Sequence, residues 1–430
     1  MSTADTARPS LRTEAIAGVT TFFTMAYIVV VNPAILSTEG TGMAFTGVLT
    51  ATVLICFVMT LVMGLYAKLP FAVAPGMGLN AFFTFNIILT QQVWWQTALG
   101  IVFWSGVLFL LISVTPVREV VARAIPSELR LGTAAGIGVF LTFIGLKNAG
   151  LIVSDPVTFV KLGDMGVPAV LMILTTGVTV WLLTRHSPFA FLAGMFFATA
   201  IGWAVGVVTL PAQPFSFPDF QTVFLKLDIW GALQLSLLPA IIGILFTDLF
   251  DSISTFIGVS HAADLLDENG HPRNLKQGLI VDSFATFGAG LAGTSSGTAY
   301  IESIAGINVG GRTGLTSVVT ALCFLPCFFL APLAGAVPAF ATAPVLVLVG
   351  ASMFRSVGKI SFAKIEEGLP AFLTIILIPL TFSITQGILW GFIGHVGLYL
   401  MVGRRREIHP VMHVLAMVAV GLLLLEHAKF

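Results

Sequence analysis

The sequence predicts an all-α, polytopic membrane protein. Three observations carry that prediction. Hydrophobic residues make up 57% of the 430 residues and charged residues only 9%. Soluble domains carry about 25% charge, so this chain cannot cover a water-facing surface of its size. Apolar stretches near the length that crosses a bilayer as a helix recur along the whole chain. Lys and Arg fall on one side of the resulting map, as the positive-inside rule requires. A soluble enzyme, a disordered chain and a nucleic-acid binder are thereby excluded. Lys+Arg and Asp+Glu balance at 20 each, which leaves no basic excess for a polyanion.

The predicted spans are 15–36, 46–67, 72–90, 96–115, 126–147, 168–184 and 188–208, then 238–261, 277–291, 294–306, 315–334, 337–355, 369–384 and 386–402. The stretch 209–237 contains Pro211, Pro214 and Pro218 and reads as a connector between two sets of seven. The apolar run 409–427 is either a fifteenth crossing or an interfacial helix. With the N-terminus in the cytoplasm, the inside carries sixteen cations: Arg8, Arg12, Lys68, Arg118, Arg123, Arg130, Arg185, Arg273, Lys276, Arg312, Arg355, Lys359, Lys364, Arg404, Arg405 and Arg406. The outside carries three, Lys147, Lys161 and Lys226, and Lys429 stays unassigned. A wrong count would scramble this bias beyond the error, so the asymmetry supports fourteen crossings up to residue 406. No cleavable signal peptide is expected, because the first apolar run is too long for one.

Seven is odd, so the second set starts on the opposite side and any repeat is inverted, a transporter architecture. Two pairs of polar residues mark it. Asn32 in the first span precedes Asn80 in the third by 48 residues, and Asp251 in the eighth precedes Glu302 in the tenth by 51. Spans three and ten are predicted to be interrupted helices. Span three opens with Pro70, Pro75, Gly76 and Gly78, which favours an extended piece ending near Pro75 and a helix from about Gly78. Span ten opens with Gly293-Thr294-Ser295-Ser296-Gly297-Thr298, small and polar, again a breaker before a short helix. Paired breaks of this kind point to a transporter's binding site, because half-helices beginning inside the membrane aim free amides and a positive dipole end at it.

Four acids fall inside spans: Asp248, Asp251, Asp282 and Glu302. Each costs roughly 2.5–3.5 kcal/mol at a helix centre, and no Lys or Arg lies mid-span to neutralise them. Such a carboxyl stays protonated, faces water or meets a polar ligand, and all three fit a transport site. Asp248 and Asp251 share a helix face, so they disfavour being ionised together. The bland reading of each acid is a structural carboxyl bonded to backbone or serine. Asn32 precedes Pro33 and can simply end its helix. Phe82 and Phe83 beside Asn80 can stack on a planar ligand, although packing is the ordinary role of either.

Other patterns carry less. Gly293–Gly297 fits G-x-S-x-G, but that elbow needs an α/β sheet. Gly310-Gly311-Arg312-Thr313-Gly314 lacks the G-K-[ST] of a P-loop. Cys323 and Cys327 are four apart, as on one helical face, but offer too few ligands for a structural metal. His409 and His413 lack a third ligand. No metal or other cofactor is implied. Asp248 and Asp251 share one helix, which disfavours an intramembrane protease with two facing aspartates; a channel is the third class considered.

Several runs resemble the AzgA-like purine permeases, a branch of the nucleobase–cation symporter-2 (nucleobase/ascorbate) family. They are Thr24–Leu36 with its Asn32-Pro33, Ala74–Phe83, Thr247-Asp248-Leu249-Phe250-Asp251, Thr298–Gly314 and Pro338–Pro344. The resemblance implies a core domain (15–115 with 238–334), a gate domain (126–208 with 337–427) and elevator-type import of a purine base (adenine, guanine or hypoxanthine) with protons, across the cell (inner) membrane. It places substrate binding on Glu302, Asp248 and Asn32, and proton coupling on Asp251, Asp248 and Asp282. Asn80, Phe82 and Thr298 beside the breaks complete the candidate binding residues. The expected partners are the base, protons and the lipid bilayer, with a homodimer left open and no nucleic acid. A carrier of the same fold for uracil, xanthine or an anion is the nearest rival, and Glu302 with Asp248 argues against the anion. Ser254 stands before Thr255 where the branch usually has glycine.

Overall fold

The computed structural model describes residues 10–115, 124–266 and 272–427. Arg8, Arg118, Arg123 and Lys429 of the charge map lie outside the described residues. The first half runs through α1 (Leu11–Met25), α2 (Ile28–Leu36) and α3 (Phe45–Val62), which continues as a π turn to Ala67. Then come β1 (Val73–Pro75), α4 (Met77–Ala81) with a π extension to Thr90, and α5 (Trp95–Val114). α6 (Ser127–Asn148), a hairpin of β2 (Ile152–Asp155) and β3 (Phe159–Leu162), α7 (Val167–Thr184) and α8 (Ala190–Ala204) follow. The second half holds α9 (Leu238–Ala262), α10 (Leu275–Ala292), β4 (Gly297–Ala299), α11 (Ser303–Asn308) and α12 (Gly314–Phe324). α13 (Ala331–Gly335), α14 (Ala339–Phe354), α15 (Ile365–Thr381), α16 (Ile384–Met401) and α17 (Pro410–His427) close it.

Among the described residues, eight helical runs are long and apolar enough to cross a membrane, and four shorter apolar helices accompany them. The chain is a multi-pass membrane protein. Helices pack closely where glycine removes the side chain, as membrane helices do in the absence of a hydrophobic drive between them. A Cβ at Gly138 of α6 would strike the carbonyl of Gly350 in α14, and Gly132 and Gly136 meet α15 in the same way. Gly106 of α5 abuts the backbone of Phe287 in α10. Gly138→Ala is therefore expected to destabilise the fold by about 1–3 kcal/mol, read as a lower thermal midpoint in detergent. Gly177→Ala in α7, where the added carbon meets nothing within 4 Å, leaves the midpoint in place.

The segment 209–237 is tied to its neighbours by backbone bonds. Its backbone bonds Ser216 to Phe329 (3.1 Å), Leu225 to Leu291 (2.8 Å) and Asp228 to Gln96 (2.9 Å).

Three expectations need correction. Asn32 does not end a helix: α2 runs through Pro33 to Leu36, and the ladder resumes with Ser37 N donating to Pro33 O at 2.9 Å. The discontinuity falls earlier, at Ala26-Tyr27. Cys323 and Cys327 do not lie on one regular α-helix, because α12 stops at Phe324 and a 3₁₀ turn from Leu325, with Pro326 in its first turn, holds Cys327. The first helix begins at Leu11, four residues before the expected span. Ser10 caps it, and its Glu14 carboxylate accepts bonds from the amides of Arg312 (3.2 Å), Thr313 (3.1 Å) and Thr316 (3.2 Å). Those amides lie at and just before the start of α12, so the entry to a helix from the other half draws the polar N-terminus of α1 into the fold.

Candidate functional site

Two short strands build the centre. β1 pairs antiparallel with β4, with Val73 opposite Ala299, Ala74 opposite Thr298 and Pro75 opposite Gly297. Extended backbone inside a membrane must have its polar groups bonded. The ribbon meets this with side chains: Thr60 donates to Val73 O (3.0 Å) and accepts from Val73 N (2.9 Å), and Ser303 accepts from Ala72 N (3.0 Å). Beyond the strands the backbone extends the pairing, from Gly76 N to Ser296 O and from Tyr300 N to Ala72 O, both 2.9 Å. Helix α4 starts just past Pro75, and α11 starts just past Tyr300, with Glu302 at its N-cap position. Because the strands are antiparallel, the two helices leave the ribbon at opposite ends.

Three successive hydroxyl residues before β4 tie the candidate side chains together. Thr294 accepts from the Asn32 amide at 2.8 Å, and the same amide reaches Thr52 at 2.7 Å. Ser295 donates to Asn80 Oδ1. Ser296 donates to Asp248 Oδ2 at 2.7 Å, and Thr286 of α10 donates to the same oxygen. Asp282 lies alongside: its Oδ2 accepts from Ser252, and Thr298 stands 3.4 Å from that oxygen. Asp248 Oδ1, Asp282 Oδ1 and Asn32 Oδ1 are buried and accept nothing. Unsatisfied buried acceptors cost roughly 1–3 kcal/mol each, so they mark places where a proton, water or solute is to be expected.

Glu302 and Asp251 are different. Both are only half-buried, whereas Asn32, Asn80, Phe82, Asp248, Asp282 and Thr298 are enclosed. The Tyr27 hydroxyl donates to Glu302 Oε1 at 2.6 Å. α11 packs against α9, which brings the charge of Glu302 to bear on Asp251. Phe82 and Phe83 are fully buried in the apolar core.

All eight candidate residues thus lie on or beside the elements around the ribbon. Sequence reasoning missed the hydroxyl residues Thr52, Thr286, Ser252 and Ser296 that bind them, and the role of Tyr27. Tyr27 sits at a helix discontinuity that only the structure reveals, and Ser and Thr in apolar helices gave no signal.

Helices broken at a buried ribbon, with acids clustered around it, define a membrane carrier rather than a catalyst. The fold has solved counterparts of that class. It superposes on the transmembrane domain of the cyanobacterial bicarbonate transporter BicA with a TM-score of 0.67, at 17% identity, covering 89% of this chain and 97% of that one. It superposes on the murine anion transporter Slc26a9 with a TM-score of 0.65, at 10% identity, covering 93% and 69%. The sequence then narrows the class. The chain belongs to the Permease family of nucleobase/ascorbate transporters, whose model matches residues 12–389. It is 42% identical to the adenine permease AdeP of Escherichia coli over 407 residues, 94% of this chain and 91% of that protein. It is 39% identical to the guanine/hypoxanthine permease PbuO of Bacillus subtilis over 420 residues, 95% and 96%. The family is one of transporters, not enzymes.

Proposed function

We propose that the chain is a secondary active transporter that imports a purine base (adenine, guanine or hypoxanthine) with protons. The observation that carries this reading is the Tyr27–Glu302 pair: a half-buried carboxylate at the head of α11, oriented by one hydroxyl and, among the described residues, bonded to no cation. A purine edge presents ring N–H donors and nitrogen acceptors, and a carboxylate accepts two such bonds. The α11 N-terminus adds a positive dipole end. The adenine and guanine/hypoxanthine permeases among the relatives agree with this substrate class.

In this reading Asp248 or Asp251 takes a proton on the outer side and releases it inside, with Asp282 behind them. Asn32, Asn80 and Thr298 hold the ribbon and complete the base site, with Phe82 supporting α4. The fourteen spans form a seven-plus-seven inverted repeat with interrupted spans three and ten, and the run 410–427 lies outside that count. Residues 15–115 and 238–334 form a core that moves past a gate of 126–208 and 337–427 as an elevator, with 209–237 linking the halves. Packing supports the grouping, since α5 lies on α10 and α1 on α12, while α6 lies on α14 and α15. The chain sits in the inner membrane with a cytoplasmic N-terminus.

Competition of unlabelled bases against radiolabelled adenine and hypoxanthine, in cells lacking their own permeases, tests the substrate. Inhibition by purines and not by uracil is the expected result; the reverse order removes the proposal. Tyr27→Phe takes one hydrogen bond from Glu302, worth about 0.5–1.5 kcal/mol, and is expected to raise the half-saturating purine concentration roughly 2–10-fold with expression unchanged.

A further inference from the structure

A pocket of about 510 Å³ opens where α16 meets α17, away from the ribbon. His395 and Tyr399 line it from α16, Arg406, Glu407 and His409 from the linking loop, and Pro410 from the start of α17. His395 is 6% exposed, and its described partner is the Tyr399 ring, 4.2 Å away between centroids. Among the described residues no hydrogen bond reaches the His395 ring. The ring borders the open space of the pocket.

The charges around the pocket are unevenly used. Arg404 is fully engaged, with Glu366 at 2.7 Å, Glu367 at 3.1 Å, Glu407 and the Tyr399 face at 4.8 Å. With Lys364 on Glu367 at 3.2 Å, that network sets two cations against three carboxylates, so it keeps one negative charge. The other acid whose charge reaches His395 from the adjoining helix is Glu128, which accepts a bond from Ser127 at 3.1 Å. Arg406 has no acidic partner among the described residues. His409 Nδ1 accepts from Val411 N at 3.3 Å, capping α17 and leaving Nε2 free to turn toward the pocket. α17, an 18-residue helix, adds the positive end of its dipole, while Pro410 has no N–H and the amides of Val411 and Met412 are taken by His409.

The setting identifies the ligand. α17 exposes Val414, Met417, Val420 and Leu424 along its length, an apolar face suited to acyl chains. The loop at its head carries Arg404-Arg405-Arg406. Basic pockets between membrane helices at such a boundary bind anionic lipid headgroups. We infer that this pocket holds the phosphate of an anionic membrane lipid, gripped by Arg406, His409 and His395.

The test uses the purified full chain in detergent. Native mass spectrometry measures retention of dioleoyl-phosphatidylglycerol against a phosphate-free diglucosyl diacylglycerol. The phosphatidylglycerol is expected to be retained selectively, and Arg406→Gln/His409→Gln to weaken retention roughly ten-fold. Arg405→Gln, outside the lining, leaves retention unchanged. His395→Phe keeps the ring stack and the apolar volume but also loses retention, which separates ligand contact from folding; a thermal midpoint within the wild-type range checks each variant. Equal retention of both lipids, or of phosphatidylglycerol by all variants, overturns the inference. So does thermal protection by millimolar inorganic phosphate that vanishes in the double variant while lipid retention does not, since the site then takes a free anion.

Discussion

Glu302→Gln is expected to lower purine uptake at low substrate by roughly 10–100-fold and to blur discrimination between bases. The substitution keeps the shape and still offers Tyr27 an acceptor, so the 2.6 Å bond that orients the side chain survives. What changes is the face toward the solute. One carboxylate oxygen becomes an NH₂, and a ring N–H that met an acceptor now meets a donor. A mismatched buried pair costs roughly 1–3 kcal/mol, which converts to that range of affinity. Initial-rate uptake in a strain without purine permeases, at matched membrane abundance, measures it. Normal uptake and selectivity in the variant would remove Glu302 from the base site.

Asp248→Asn is expected to separate movement of the base from its accumulation. Asn imitates a carboxyl that is always protonated, and Ser296 and Thr286 can still donate to its oxygen. A carrier locked in that form still exchanges base for base but can no longer release a proton inside. Counterflow of preloaded radiolabelled base should continue at a rate within a few-fold of wild type, while gradient-driven accumulation falls to equilibration. If Asp248→Asn accumulates normally and Asp251→Asn shows the split, the proton rides on Asp251. If both variants accumulate normally, the coupling reading fails.

The sequence revealed the apolar helices because their signal is additive: every residue from Trp95 to Val114 contributes to one α-helix of the expected length. Pro75-Gly76 favours an extended piece ending near Pro75 and a helix from about Gly78, since proline and glycine act locally; β1 ends at Pro75 and α4 starts at Met77. Pairing of that piece with residues 297–299 was not legible. It joins segments over two hundred residues apart through backbone bonds, which leave no side-chain pattern. The acids stood out because a carboxyl in oil is expensive. Their partners did not: Thr286 and Ser252 cost little in a membrane helix, Ser296 reads only as part of the polar breaker before β4, and the value of each depends on which neighbour it faces. Glu14 shows the same limit, reading as a polar leader residue although three amides from the other half hold it.

The central claim is that acids around a buried ribbon carry a purine together with protons, and reconstitution tests it most directly. The purified chain in proteoliposomes, given an inward proton gradient, is loaded with radiolabelled adenine or hypoxanthine. The account predicts accumulation above the external concentration, collapse of that excess when a protonophore is added, and an initial rate roughly 10–100-fold lower for Glu302→Gln at low substrate. Purine uptake that ignores both the gradient and the protonophore would contradict it.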